Sequence, residues 1–185
     1  MNYAIMTAVI AAGVSLAIAI LAAIIQTRNN YLQAVTAERS KWIDKLRMNI
    51  AALSGMIRTL SYKNLTGTIS FNSQEYISSL DEINKVVALI RLQLNPDGTV
   101  DQNILSLLDR LPYLSESAQR HPLLRRGDDL LIAHSQWLLK DEWEKVKREA
   151  DIFGRFRARE EIEYRDAKYV DFSRRNDIAA FLKSR

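Results

Sequence analysis

Residues 3–25 form an uninterrupted apolar stretch, YAIMTAVIAAGVSLAIAILAAII, that contains no charged residue, Pro, Asn or Gln. As an α-helix rising about 1.5 Å per residue, this stretch would be roughly 34 Å long, enough to cross a hydrocarbon core of about 30 Å. No later apolar run reaches about 18 residues. The sequence therefore predicts an all-α protein with a single N-terminal transmembrane helix, and we assign residues 1–28 to the transmembrane anchor.

A cleavable signal peptide is the competing interpretation of the same stretch. Its requirements are not met, because no Lys or Arg precedes the apolar run and the run exceeds the usual length of about 7–15 residues. Residues 27–61 contain six basic residues and two acidic ones. The positive-inside rule then places the N-terminus outside a bacterial inner membrane and the C-terminal part in the cytoplasm. The absence of cysteine fits a reducing compartment.

The basic excess is concentrated beside the apolar run. The whole chain has a formal net charge of +4, which equals the excess of residues 27–61, so the remaining sequence is balanced. Basic residues close to a membrane surface are attracted to anionic headgroups by about 1 kcal/mol each. We expect Arg28, Arg39 and Lys41 to contact lipid headgroups, with the lipid bilayer as the first partner of the chain.

Small residues recur on one side of the apolar run, at Ala4, Ala8, Ala12, Ser15, Ala19 and Ala23. Such positions allow two helix backbones to approach closely inside a bilayer, where burial brings no hydrophobic gain. This small-residue stripe predicts self-association into a homo-oligomer. An ordinary anchor rich in alanine and surrounded by lipid is the alternative.

Apolar residues continue at helical spacing beyond the membrane segment. The pattern is interrupted at Arg39 and forms a packing seam of Leu32, Val35, Trp42, Leu46, Ile50, Leu53, Ile57 and Leu60. We predict one helix from Tyr3 to Leu60, in which residues 29–61 are the juxtamembrane part. The seam requires a partner, which could be the later helices of the same chain or the seam of a neighbouring copy.

Residues 62–154 are predicted to complete a cytoplasmic bundle of about four helices. A loop covers residues 62–72, Ser73 caps the next helix, and Asn95-Pro96 ends it. A third helix is expected to begin with Asp101 as its cap and to stop or kink at Pro112.

The last long helix is expected to open at Asp128-Asp129, after punctuation at Pro122 and Gly127, because negative charge is favourable at a helix N-terminus. Residues 155–185 form a charged extension that favours a solvated helix, with Arg157, Glu161 and Arg165 at i, i+4 spacing. The final segment is either a short docked helix or a frayed tail.

Candidates for chemistry are few. His121 and His134 lack any metal-binding motif, and the carboxylates of residues 141–144 alternate with lysines as on a solvated surface. No phosphate-binding loop or nucleophile elbow is present. Arginines among residues 155–159 are offset by glutamates at 160–163, which disfavours direct nucleic acid binding. We expect no catalytic residue, cofactor or metal, and no enzymatic activity.

Three stretches carry a resemblance to known proteins: ERSKWIDKLRMNI at 38–50, NKVVALIRLQLNP at 84–96 and LLKDEWEKVKRE at 138–149. The chain resembles a loose group of small bacterial membrane proteins with an ERxKWI, LNP and LLKxEWExVK pattern. Some members of that group resemble effector or accessory components of antiphage systems, including retron-type systems. The resemblance covers residues 38–150 and carries over no catalytic residue.

Together, the missing catalytic motifs, the small-residue stripe and this resemblance lead us to expect a non-enzymatic, oligomerising membrane effector or sensor in bacterial antiphage defence. A constitutive membrane tether that recruits a cytoplasmic protein partner is the main alternative. A third alternative, from another class, is a hydrolase or nuclease whose site forms only in an oligomer.

Overall fold

The computed structural model describes residues 3–70, 73–150 and 158–183. Within these ranges the fold is all-α, as predicted, with five helices of 17 residues or more and one of six residues. A 3-10 turn at Ala118–Arg120 precedes the fourth helix. The helices are α1 (Tyr3–Leu65), α2 (Gln74–Gln93), α3 (Thr99–Ser115), α4 (His121–Ala150), α5 (Ala158–Arg175) and α6 (Ile178–Lys183).

Helix α1 contains 63 residues and is therefore about 94 Å long at 1.5 Å per residue. It has no proline, so nothing in its sequence interrupts the hydrogen-bonding pattern. The predicted continuation of the helix beyond the apolar run is present, and the helix ends five residues after the predicted Leu60. One element thus joins the exposed N-terminal segment to the packed domain.

The core forms where α2, α3 and α4 pack against the C-terminal half of α1. Its members in α1 include Ile43, Leu46, Leu53 and Ile57, and each of them is 3% exposed or less. Helix α4 runs antiparallel to α1. Three contacts fix this register, Ser61 with His121, Ser54 with Asp128, and Arg39 with Glu142.

The helical hairpin of α2 and α3 follows the sequence closely. The Ser73 hydroxyl accepts a hydrogen bond from the Tyr76 amide at 3.2 Å and caps α2. The chain leaves the helix after Gln93, just before Asn95-Pro96, because a residue preceding proline disfavours the α conformation.

Two predicted helix starts are wrong. Helix α3 begins at Thr99, and Asp101 does not cap it. Instead, Oδ1 of Asp101 accepts a hydrogen bond from the Asn95 amide at 3.0 Å and closes the α2–α3 turn. Helix α3 also continues through Pro112 to Ser115.

Helix α4 begins at His121, seven residues before Asp128. Pro122 lies in its first turn, where a missing N–H costs no helical hydrogen bond. Asp128 is fully buried against α1, where it accepts hydrogen bonds from the Ser54 hydroxyl at 2.9 Å and from the Arg58 side chain.

The C-terminal segment is docked rather than frayed. Ile178 and Phe181 are 6% and 1% exposed and belong to the same core as the bundle. Gly127 allows this close approach, because a Cβ atom at this position would lie 2.6 Å from Cζ of Phe181. The predicted pairing between residues 157 and 161 lies outside the described residues.

Candidate functional site

The N-terminal part of α1, residues 3–25, exposes large apolar side chains along its length. Ile10, Leu16, Ile18 and Ile24 are each about 60% exposed, for example. Among the described residues, α1 is the one helix whose length and apolar composition suit a membrane crossing. A membrane span and a signal sequence share these properties.

The predicted small-residue stripe lies on this exposed segment. The structure leaves five of its members exposed, and the side chain of Ala4 lies outside the described residues. The five are Ala8, Ala12, Ser15, Ala19 and Ala23.

The packing seam divides into two parts. Leu46, Ile50, Leu53, Ile57 and Leu60 are buried against the later helices of the same chain. For these five residues, the partner of the seam is therefore the later helices of the same chain.

The seam residues nearer the apolar segment, Leu32, Val35 and Trp42, are half-buried. Trp42 is fixed by a hydrogen bond from its Nε1 to the carbonyl oxygen of Gln93 at 3.1 Å.

The three predicted headgroup residues have different surroundings. Arg28 is exposed, and Lys41 is exposed with its ammonium group 2.7 Å from Glu38. Arg39 faces the bundle instead, with its Nε 3.8 Å from Glu142. It also lies 14 residues beyond Ile25, which is about 21 Å along the helix. Arg39 therefore packs on the bundle, and its predicted headgroup contact stays a prediction.

A cleft of about 930 Å³ opens between α1, the α2–α3 turn, α4 and α5. Charges of alternating sign cross it. Arg39 faces Glu142; Lys145 lies 2.5 Å from Glu142 and 3.1 Å from Asp141; and Arg165 lies 2.8 Å from Asp141. These ion pairs join α1, α4 and α5. Trp42, Trp137 and Tyr169 supply aromatic walls.

Burial and neighbouring charges shift the pKa values of Asp101 and Lys145 in this cleft. Desolvation raises the pKa of Asp101, and nearby Glu142 adds to the increase, while the amide of Asn95 opposes it. For Lys145, desolvation lowers the pKa, but its hydrogen bonds to Glu142 and Asp141 outweigh this and the net shift is upward. The lysine therefore stays charged at neutral pH, and the cleft can hold polar or charged groups.

A buried hydrogen-bond chain attaches α5 to the bundle. The Asn103 amide donates to the Tyr169 hydroxyl at 2.7 Å, and the hydroxyl lies 3.1 Å from Nδ1 of His134. On its other side, Nε2 of His134 lies 3.2 Å from the carbonyl oxygen of Asn176. Because that carbonyl can only accept, Nε2 carries the proton and Nδ1 accepts from Tyr169. His134 is thus a core histidine, and Phe172 packs edge-on against it.

Ser61 and His121 form a pair that the sequence did not reveal, with 2.7 Å between Oγ and Nδ1. A nucleophilic serine needs access to substrate, and Ser61 is 1% exposed. The described residues also contain no group of three His, Cys, Asp or Glu side chains placed to hold a metal ion. This pair therefore holds α1 against α4.

The cleft was not visible in the sequence, because its members come from four separate elements. The sequence patterns predicted separate local roles for Arg39, Asp101, Glu142 and Arg165, and nothing in them linked these residues to one another. The only available signal was the interruption of the seam at Arg39, where a charged residue occupies a position on the packed face.

Comparison of the chain with protein-family models, with curated proteins and with solved structures gives no match.

Proposed function

We propose that this chain is a single-pass protein of the bacterial inner membrane, with its N-terminus outside and its helical domain in the cytoplasm. In this proposal it acts as a non-enzymatic, oligomerising effector or sensor in antiphage defence. The observation that carries the proposal is the continuity of α1, which joins the exposed apolar segment directly to the core.

This continuity supports a mechanical role. Leu46 and Leu53 are completely buried in the core, and no proline separates them from residues 3–25. A displacement of the bundle therefore moves the apolar segment as well, since a helix without a break transmits rotation and tilt along its axis. The charged cleft at the junction of α1, α4 and α5 offers a place where a partner would act on α1.

The assignment to antiphage defence depends on the resemblance of residues 38–150 to a loose group of small bacterial membrane proteins, some of which resemble components of antiphage systems. Self-association through the small-residue stripe fits the same proposal, because an effector that acts at a membrane gains function by assembly.

The principal alternative is a constitutive tether that recruits a cytoplasmic protein. Two exposed leucines on α2 favour it, because Leu89 and Leu92 are 51% and 84% exposed and offer apolar surface to a partner. A hydrolase or nuclease that becomes active only in an oligomer is the third possibility.

Overexpression distinguishes these functions. We would compare the full chain with residues 30–185 and measure growth arrest and membrane potential, with circular dichroism to establish that the shorter protein is folded. The effector proposal predicts that the full chain depolarises cells and the shorter protein does not. Equal toxicity would refute the effector mechanism in favour of a hidden enzyme, and absence of toxicity from both would favour the tether.

A further inference from the structure

Helix α5 is attached to the bundle mainly through one side chain. Of the described side chains of α5, that of Tyr169 is the one that is buried, and Phe172, about one turn later, is half-buried. The backbone of α5 approaches the other helices at few points, so side chains hold this helix in place. Its docking therefore depends on the groups that surround Tyr169.

The two rings of α5 pack around His134 and Trp137 of α4. Phe172 stacks on Trp137 with 5.0 Å between ring centres, and it lies edge-on to His134 at 5.1 Å. The ring of Tyr169 is 6.0 Å from that of His134 and is also edge-on. Because His134 is completely buried, its imidazole lies at the centre of the contact between α4 and α5.

His134 also holds the link between α5 and α6. Its Nε2 lies 3.2 Å from the carbonyl oxygen of Asn176, between the end of α5 and the start of α6. Helix α6 follows at once, with Ile178 and Phe181 buried in the core. One histidine thus contacts α5 through Tyr169 and the approach to α6 through Asn176. A change in its protonation therefore acts on both helices.

The neutral imidazole satisfies both contacts, and the protonated form does not. Nε2 donates to the Asn176 carbonyl, and Nδ1 accepts from the Tyr169 hydroxyl. Protonation of Nδ1 turns this acceptor into a donor, so an N–H and an O–H point at each other across 3.1 Å. The hydroxyl proton then has no acceptor in this chain of hydrogen bonds, because the Asn103 amide donates to the same oxygen.

The charged and titratable groups around His134 provide no counter-ion for an imidazolium. They come from three neighbouring elements and are Tyr169 and Arg165 of α5, Asp101 of α3 and Asp177 before α6. Arg165 is itself a cation, and the charge of Asp101 shifts the pKa of Tyr169 but not that of His134. Asp177 is exposed and accepts a hydrogen bond from the Ala180 amide at 2.9 Å. Within the described residues, a protonated His134 is therefore a buried charge without a partner, which is costly.

The rest of the bundle does not depend on α5. Apart from Ile178 and Phe181 of α6, the core cluster of buried residues lies within residues 43–146. Helix α5 instead supplies Arg165, Tyr169 and Val170 to one wall of the charged cleft. Release of α5 would thus open the cleft on that side and leave α1 to α4 packed.

We propose that His134 is a pH-sensitive latch, whose protonation releases α5 and α6 from the bundle and opens the cleft. The latch adds a means of regulation to the cleft at which the proposed function places a partner. It rests on that function only for the effect that opening would have on α1.

Hydrogen exchange of the full-length protein, purified in detergent, tests the latch. A released histidine takes up its proton with a pKa of about 6.5, whereas burial lowers the pKa of the docked His134. Release is therefore favoured as the pH falls below about 6.5. Between about pH 7.5 and about pH 5.5, we expect the protection factors of α5 and α6 to fall about five- to tenfold. The protection factors of α2 should stay unchanged, and an equal fall in α2 would overturn a local release.

The two histidines of the chain provide matched variants. In His134→Gln, the amide nitrogen can donate to the Asn176 carbonyl and the amide oxygen can accept from Tyr169, and neither atom titrates. This variant should lose the pH response of α5 and α6, whereas His121→Gln should keep it. A response that persists in His134→Gln, or one that disappears in His121→Gln, would overturn the assignment to His134.

A measurement on the unaltered protein covers the case in which His134→Gln does not fold. Nitrogen-15 NMR of the imidazole at about pH 7.5 should show a protonated Nε2 and an unprotonated Nδ1. An imidazolium or the other tautomer at this pH would contradict the latch. Neither experiment depends on toxicity in cells: a pH response without depolarisation refutes the effector and leaves the latch intact, and constant protection refutes the latch alone.

Discussion

The contact between Gly127 and Phe181 allows a quantitative test of how the C-terminal helix is held. In Gly127→Ala, the new Cβ would lie 2.6 Å from Cζ of Phe181 and 2.9 Å from Cδ2 of Leu111, so the phenyl ring must move. Losing the burial of a phenylalanine side chain costs about 1.5–3 kcal/mol. Alanine also improves the helix by about 1 kcal/mol relative to glycine.

Helix α6 contains only six residues, and Ile178 is buried beside Phe181, so displacement of the ring also weakens the isoleucine contact. We therefore expect Gly127→Ala to destabilise the protein by about 1–3 kcal/mol after the helix gain is subtracted. Urea unfolding of the full chain in detergent, followed by tryptophan fluorescence, measures this change. Limited proteolysis should show earlier cleavage in α5 and α6.

A double-mutant cycle supplies the control. Phe181→Ala alone should cost about 3–5 kcal/mol through loss of a buried ring. Adding Gly127→Ala to that background should be clearly less destabilising than in the wild type, since the conflict with the ring is gone, the helix gain remains and only the 2.9 Å approach to Cδ2 of Leu111 opposes it. If Gly127→Ala is equally destabilising in both backgrounds, the proposed steric conflict is wrong.

Three further predictions address stability and topology. Burial lowers the pKa of His134 despite its hydrogen bond to the Asn176 carbonyl, so the unfolded chain takes up this proton more readily. The contribution of His134 to stability should therefore be full above pH about 6.5 and fall as the pH drops below it, and His134→Gln should reduce that fall in urea titrations. Leu46→Lys should cost several kcal/mol in the same assay because it buries an unpaired charge, whereas Leu92→Lys at an exposed site should change stability by less than about 0.5 kcal/mol. A C-terminal fluorescent fusion should be active and a phosphatase fusion inactive, and phosphatase activity would disprove the cytoplasmic location of the domain.

The sequence predicted the long helix because its apolar periodicity persists over many turns. The spacing of Leu46, Ile50, Leu53 and Ile57 indicated a packed face, and these residues are buried. Periodicity also located α2, whose start at Ser73 and end before Pro96 depend on local chemistry that a sequence displays directly.

The errors arose where tertiary contacts outweighed local signals. Gly127 was interpreted as a break between two helices, but it lies inside α4. A glycine is present there because the ring of Phe181 occupies the space that a side chain would need. Asp128 suits a helix start by its charge, yet it is buried and bound to Arg58 from a distant part of the chain. A contact between residues 70 positions apart leaves no trace in either local stretch of sequence.

The cleft was unpredictable for the same reason. Its ion pairs join Arg39 to Glu142 and Arg165 to Asp141, and only the assembled bundle brings these side chains together. The docking of α6 depends likewise on two apolar residues, Ile178 and Phe181, which lie in a helix of six residues, too short to form an extended stripe.

The antiparallel register of α1 and α4 has a consequence for biosynthesis. Ser61 and Ser54 contact residues that follow 60 and 74 positions later in the chain. At about 5–20 residues per second, a ribosome needs roughly 3–15 s to synthesise the intervening sequence. During this time the apolar side of α1 lacks its principal partner and stays exposed until α4 emerges. Transcripts truncated before residue 121 should therefore yield products that proteases remove quickly.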